Sequence, residues 1–225
     1  MVEALEWIGR EAAHGGVVER EFRLSRTAST VPGVLWRPSA AGPNRPLVLL
    51  GHGGSGHKRS ERTVAHARWF ASRAGLAVLA IDGPYHGDRV AAPVSAEEYQ
   101  PRIVAEGTEV VLDRMTGDWL AAVDAVEAAG LADTSNVGYL GTSMGVRFGL
   151  PLAAVLGDRL FHLQWDDEIF PRDGQLALFD LLGSRDKRLI GFAGPHAETR
   201  PEAIDLWRDF IARHLVPVEA ASSAA

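Results

Sequence analysis

The chain has 225 residues, of which 46% are hydrophobic and 23% are charged, so it is long enough to bury a sizeable core as one domain. Its formal net charge is −6, and no cluster of Lys or Arg supplies the positive surface that a nucleic acid or an anionic membrane would require. The absence of cysteine excludes disulfides, thiolate metal ligands and a cysteine nucleophile.

The amino-terminal segment, residues 1–16, is acidic and amphipathic. It lacks the basic start and apolar core of a signal peptide. No apolar stretch of the chain approaches the ~18 residues that are typical of a membrane span. We therefore expect a cytoplasmic protein that binds neither a membrane nor a nucleic acid.

The rest of the chain alternates strands with helices. Residues 18–26 and 33–38 alternate polar and apolar side chains around a Ser/Thr/Pro turn, which predicts an antiparallel strand pair at a sheet edge. The runs 46–52 and 76–82 are continuously apolar, as in parallel strands that are covered on both faces. The patterns further predict strands at 136–141, 159–165 and 187–194 and helices at 60–75, 117–130, 144–157, 173–183 and 201–214. This order predicts an α/β fold with a mostly parallel twisted sheet and helices on both faces.

One connection is longer than the others. Residues 87–116 separate a strand from its crossover helix, where about 2–6 residues are usual, and such long connections are often functional lids. The segment mixes Pro93 and Pro101 with several valines, which suits a partly helical segment folded over an apolar pocket. The alternative is that these valines extend the core. We predict a lid-like insertion within a single domain that spans 1–225 and ends in a flexible tail at 219–225.

A serine stands between two glycines in Gly141-Thr142-Ser143-Met144-Gly145, after an apolar strand and before a helix. This strand–turn–helix setting is that of a nucleophile elbow, in which a side chain two residues away would collide with neighbouring backbone. The helix that begins at Met144 would also direct backbone N–H groups at an oxyanion beside the serine. A structural turn fits the same five residues, but the setting favours Ser143 as a nucleophile.

A serine nucleophile requires a base and an acid that orients the base. Of the three histidines that follow the serine, His162 lies inside an apolar strand and His214 lies in the last turn of the final helix. His196 follows a strand in a loop, where a base of this kind of sheet is expected. An acidic turn after the preceding strand offers the acid. Its spacing to the following proline favours Asp167, with Asp166 as the alternative.

A glycine-rich loop, residues 49–58, follows a buried strand. It lacks the G-x-x-x-x-G-K-[ST] spacing of a phosphate-binding loop, so we assign it to the oxyanion hole, through the backbone N–H groups of Gly54 and Met144. Four side chains on two loops could be combined into a metal site: His52, His57, His86 and Asp88. Their spacing matches no recognised ligand pattern, so we expect neither a metal nor a cofactor.

Together these motifs resemble the α/β-hydrolase superfamily, in particular its dienelactone-hydrolase-like and serine-esterase branch. The resemblance covers about residues 18–214. It rests on five stretches: GHGGSG at 51–56, IDGPYHGDR at 81–89, GTSMG at 141–145, DDEIFP at 166–171 and GPH at 194–196. Dienelactone hydrolases carry cysteine as their nucleophile, so Ser143 points to the ester hydrolases of the group. The resemblance implies the α/β-hydrolase fold.

The chain departs from the family pattern between the nucleophile and the acid. Ser143 and Asp167 are 24 residues apart in the sequence, which leaves room for one helix and one strand, where the family usually has two further strands. Either one strand–helix unit is missing, or the acid follows the next strand directly, as in some lipases; the run from helix to acid strand has no spare segment, so we expect a missing unit.

The expected function is that of a serine hydrolase that cleaves a small carboxylic ester, lactone or thioester through an acyl-enzyme. Ser143, Asp167 and His196 would form its triad, and the protein would act as a monomer or homodimer on a small-molecule ester. The alternative, suggested by the missing unit, is a non-catalytic or weakly active binding protein on the same scaffold.

Overall fold

The structure is a computed structural model, which describes residues 4–26, 29–40, 42, 45–153, 159–183 and 186–216. The chain divides into two compact units, Met1–Leu152 and Ala153–Ala225. The predicted tail at 219–225 and the end of the helix predicted at 144–157 lie outside the described residues. Of the helices in the described part of the chain, none has both the length and the apolar character needed to cross a membrane.

The first unit contains a six-stranded sheet. Its strands are β1 (Leu5–His14), β2 (Val17–Arg26), β3 (Ser29–Pro38), β4 (Pro46–Gly51), β5 (Ala77–Ile81) and β6 (Asp133–Gly141). They are arranged in the order β1-β2-β3-β5-β4-β6. The pairs β1–β2, β2–β3 and β3–β5 are antiparallel, whereas β4 pairs in parallel with both β5 and β6. The predicted α/β class is thereby confirmed.

The predicted antiparallel pair is present as β2 and β3, but it does not form the edge of the sheet. Strand β1 pairs outside β2, and the sequence patterns did not predict it. The reason is burial: from Gly9 to His14 every residue of β1 is exposed, so this strand shows no apolar alternation. In contrast, β5 is buried at all five positions, which explains its continuous apolar run.

Three helices of the first unit connect these strands. Helix α1 (Glu61–Arg73) packs on β3, β4 and β5, and the chain leaves it at Gly75, the last residue of the predicted helix, whose φ is +68°. Helix α2 (Ala96–Glu106) lies in the predicted lid-like segment, after a single 3₁₀ turn at Gly87–Arg89. Helix α3 (Thr108–Ala128) follows it directly and packs on β6.

The crossover helix was predicted to begin at 117, but α3 begins at Thr108, so the lid-like segment is shorter than predicted. Gly117, the first residue of the predicted helix, lies inside α3 in the structure. A methyl group there would lie 2.8 Å from the Arg26 guanidinium, which pairs with Asp118 at 2.6 Å. The glycine therefore serves the close approach of Arg26, which the helical pattern alone could not reveal.

Helix α4 (Met144–Ala153) follows β6 directly. In the second unit, β7 (Arg159–Gln164) pairs in parallel with β8 (Lys187–Phe192), and α5 (Arg172–Leu181) and α6 (Pro201–Leu215) complete it. Between Ser143 and Asp167 the described residues form one helix, α4, and one strand, β7. This is the shortened connection that the sequence predicted.

Candidate active site

Ser143 occupies a strained turn between β6, which ends at Gly141, and α4, which begins at Met144. Its φ is +52°, in the left-handed region that residues other than glycine rarely adopt. The turn is closed by two backbone hydrogen bonds of 2.9 Å, from Gly145 N–H to the Thr142 carbonyl and from Val146 N–H to the Ser143 carbonyl. Strained conformations of this kind concentrate at functional sites.

The two glycines that flank the serine are required by close backbone contacts. A methyl group on Gly141 would lie 2.7 Å from the carbonyl carbon of Gly145. A methyl group on Gly145 would overlap the carbonyl oxygen of Gly51 and lie 3.0 Å from that of His52. The turn is therefore pressed against the carboxyl end of β4, where no side chain fits at either position.

Tyr139 supports this turn and was not identified from the sequence. Its hydroxyl donates to the Gly145 carbonyl at 2.6 Å, and its ring occupies the space that side chains at Gly51 and Gly149 would need. Burial raises the pKa of the Tyr139 phenol, so the hydroxyl remains a donor. The contacts join residues from β4, β6 and α4, which no local pattern connects.

The loop that was assigned to the oxyanion hole follows β4 and lies against the serine turn. A methyl group on Gly53 would lie 3.7 Å from the Ser143 Cβ, and one on Gly54 would lie 3.9 Å from the Met144 Cβ. The structure thus brings both residues proposed as oxyanion donors, Gly54 and Met144, next to each other beside the serine.

His52 holds the loop in place. Its Nδ1–H donates to the Gly53 carbonyl at 2.8 Å, and its Nε2 accepts the Gly83 N–H at 2.8 Å, which fixes one neutral tautomer. Burial lowers the pKa of His52 to about 4, so the ring is uncharged at neutral pH. His52 is therefore a clamp between two loops.

The four side chains of the alternative metal site bind other parts of the protein. His86 directs its Nε2 at the Gly54 carbonyl at 2.8 Å, and His57 accepts the Arg59 N–H at 3.2 Å. Asp88 pairs with Lys58 at 2.7 Å. Among the described residues, no group of three or more His, Asp or Glu side chains is arranged to hold a metal ion.

The Asp-x-Pro-x-x-Gly-x-Arg stretch, residues 82–89, forms a buried ionic network. The Asp82 carboxylate accepts a hydrogen bond from the Lys58 ammonium at 2.9 Å. It also accepts hydrogen bonds from the backbone N–H groups of Lys58 and Asp88, at 2.8 and 2.9 Å. Arg89 donates to the Asp82 carbonyl at 2.7 Å and to the Asp118 carboxylate at 2.7 Å. Lys58 is therefore bound inside this network, which fixes the two loops around the serine turn.

In the second unit, the structure brings Asp167 and His196 together. The Asp167 Oδ2 lies 2.9 Å from His196 Nδ1, and its Oδ1 accepts the N–H groups of Ile169 and Phe170 at 2.8 Å each. Burial by itself would raise the pKa of the Asp167 carboxyl, but the hydrogen bonds from His196, Phe170 and Ile169 outweigh it and lower that pKa below its usual range. An ionised carboxylate at Nδ1 holds the imidazole with its proton on that nitrogen.

The neighbouring acidic residues shape the loop that carries His196. Asp166 accepts the Gly194 N–H at 3.1 Å. Glu168 accepts the His196 N–H at 2.9 Å, and that bond lowers the pKa of the Glu168 carboxyl. Asp167 therefore faces the imidazole, whereas Asp166, the alternative acid, faces the backbone. The role of Glu168 was not identified from the sequence, which offered only its place in an acidic turn.

Two other histidines, His162 and His214, follow the serine in the sequence. His214 lies in the last turn of α6, where its Nδ1 approaches the Phe210 carbonyl at 2.7 Å and its Nε2 approaches the Asp186 carboxylate at 3.0 Å. His162 lies in β7, as predicted, and its side chain is outside the described part of the structure.

No protein-family model matches this sequence, and no curated protein does. Solved structures do. A cold-adapted esterase from an Arctic intertidal metagenomic library, in complex with PEG, is 30% identical, with a TM-score of 0.80 over 94% of this chain and 100% of that one. A dienelactone hydrolase-like promiscuous phosphotriesterase from metagenomic libraries is 18% identical, with a TM-score of 0.72 over 90% and 100% of the two chains. Acetyl xylan esterase 1 from Thermoanaerobacterium sp. is 13% identical, with a TM-score of 0.77 over 96% and 89%.

Proposed function

Since this chain belongs to the esterase branch of the α/β-hydrolase superfamily and is a carboxylic ester hydrolase, we propose that it cleaves a small ester, lactone or thioester through an acyl-enzyme formed on Ser143. The observation that carries this proposal is the backbone of Ser143. A serine at φ +52°, at the junction of a strand and a helix, presents its hydroxyl on a turn that only flanking glycines permit.

The proposed reaction begins with attack of the Ser143 Oγ on the substrate carbonyl carbon. His196 Nε2 takes the hydroxyl proton, while Asp167 keeps the other ring proton on Nδ1 and stabilises the imidazolium that forms. The backbone N–H groups of Gly54 and Met144 hold the carbonyl oxygen as it becomes negatively charged. When the bond to the alcohol breaks, the imidazolium gives its proton to the leaving oxygen.

Water completes the cycle by attacking the carbonyl carbon of the acyl-enzyme. His196 takes a proton from this water and returns it to the Ser143 oxygen as the acid is released. No cofactor takes part in these steps. The lid-like segment, with α2 at its centre, would form a wall of the acyl pocket, since its Tyr99 and Ile103 are buried in the first unit.

Labelling with a fluorophosphonate probe tests the nucleophile. The wild-type protein should be labelled on a single serine, and Ser143→Ala should abolish both the labelling and the hydrolysis of p-nitrophenyl esters. His196→Ala should slow both by several orders of magnitude, since a serine without its base reacts poorly. Retention of a tenth of the wild-type turnover in either variant would overturn the assignment.

A matched pair of variants tests the acid. Asp167→Asn should reduce kcat by about 10⁴-fold, because an amide does not hold the imidazole in the required tautomer. Asp166→Asn removes the same charge one residue away, where the carboxylate accepts the Gly194 N–H and no other group of the described residues, and should change kcat less than about tenfold. The reverse order of the two effects would show that Asp166 is the acid.

A further inference from the structure

Tyr99 reaches from the lid-like segment into the serine turn. It lies on α2, and its side chain is buried, with 3% of the residue exposed. The ring meets that of His86 edge to face, with 4.6 Å between the ring centroids, and His86 in turn directs its Nε2 at the Gly54 carbonyl. Tyr99 is therefore anchored to the loop that supplies one of the proposed oxyanion donors.

The Tyr99 hydroxyl lies over the backbone of Gly54. A methyl group on Gly54 would overlap the phenol oxygen, and the same methyl group would lie 3.9 Å from the Met144 Cβ. The hydroxyl thus lies against Gly54, which itself lies beside Met144, the other residue that we propose as a backbone donor. This close approach also explains why residue 54 is a glycine, since any side chain would displace Tyr99.

The hydroxyl makes no hydrogen bond to any residue that the structure describes. The two other tyrosines do: Tyr139 donates to the Gly145 carbonyl, and Tyr85 donates to the Glu106 carboxylate. The O–H of Tyr99 is therefore available to donate to a ligand beside the serine turn.

We propose that the Tyr99 hydroxyl is a third donor to the oxyanion, beside the N–H groups of Gly54 and Met144. Its O–H would donate to the substrate carbonyl oxygen, and the bond would strengthen as that oxygen becomes negatively charged in the tetrahedral state. This inference rests on the proposed function. It makes the position of α2 part of the chemistry, because the lid-like segment carries one of the three donors.

Tyr99→Phe tests the inference, since it removes one oxygen and leaves the ring against His86. We expect kcat for p-nitrophenyl esters to fall by about tenfold to a hundredfold, in the lower range for loss of an oxyanion donor, with KM changed less than about threefold. A trifluoromethyl ketone, which forms a charged tetrahedral adduct with the nucleophile, should lose affinity by a similar factor. The melting temperature should change little, because the phenylalanine ring keeps its contact with His86.

Ser135→Ala is the control, because it removes a hydroxyl that binds Asp133 at the start of β6, at the opposite end of that strand from the serine turn. It should leave kcat and the affinity for the ketone within about twofold of the wild type. If the probe labels the protein but Tyr99→Phe keeps the wild-type kcat and ketone affinity, the role of Tyr99 would be overturned and the proposed function would stand. A wild-type protein that the probe does not label would overturn the proposed function and this inference together.

Discussion

Acidification should destabilise this protein through His52, which is 6% exposed and whose Nε2 accepts the Gly83 N–H. Burial lowers the pKa of His52 to about 4, whereas in the unfolded chain it is near 6.5. Between these two values the unfolded state binds one more proton than the folded state, so the free energy of unfolding falls as the pH decreases through this window. The stabilisation is fully present above pH 6.5. At 1.36 kcal/mol per pKa unit, the loss is about 2 kcal/mol at pH 5 and about 3 kcal/mol at pH 4.

The assay is urea unfolding at several pH values between 4 and 7, followed by tryptophan fluorescence, in the wild type and in His52→Gln. The glutamine Oε1 can accept the Gly83 N–H but does not titrate, and the remaining titrating groups are common to both proteins. Between pH 7 and pH 5 the wild type should therefore lose about 2 kcal/mol more than the variant. Parallel pH profiles would refute the reasoning, because they would show that His52 is protonated as easily in the fold as in the unfolded chain.

Two substitutions in the first unit test the packing and the buried ions. Gly145→Ala should cost about 1–3 kcal/mol of unfolding free energy and prevent fluorophosphonate labelling, because the methyl group would overlap the Gly51 carbonyl oxygen. Gly174→Ala lies inside α5, where no described atom is within 4 Å of the added methyl group; it should leave labelling intact and keep or slightly raise the unfolding free energy, by up to about 1 kcal/mol, so equal losses in the two variants would contradict this account. Lys58→Met should cost about 3–5 kcal/mol in urea unfolding, because it leaves the buried Asp82 carboxylate without its cation. A loss below about 1 kcal/mol would mean that the backbone N–H groups suffice.

The local patterns of the sequence indicated most of the strands and helices in their order, and the turn around Ser143. Continuous apolar runs indicated β4 and β5, because strands that are covered on both faces need apolar side chains at every position. The glycines at 141 and 145 indicated the turn, because the backbone constraint acts over a few adjacent residues. Strand β1 gave no such signal, since its exposed side chains follow no apolar alternation.

The pairing of side chains was decided by the tertiary structure alone. From the sequence, Asp166 and Asp167 differ by one position, whereas in the structure one binds the Gly194 backbone and the other binds His196. Tyr99 acquires its place beside Gly54 because α2 packs across a loop that is 45 residues earlier in the chain. The residues of a segment limit its backbone conformation, because backbone conformation depends on residues that are adjacent in the sequence. Which polar groups meet depends on how distant loops pack, and each such contact forms only when the whole unit has folded.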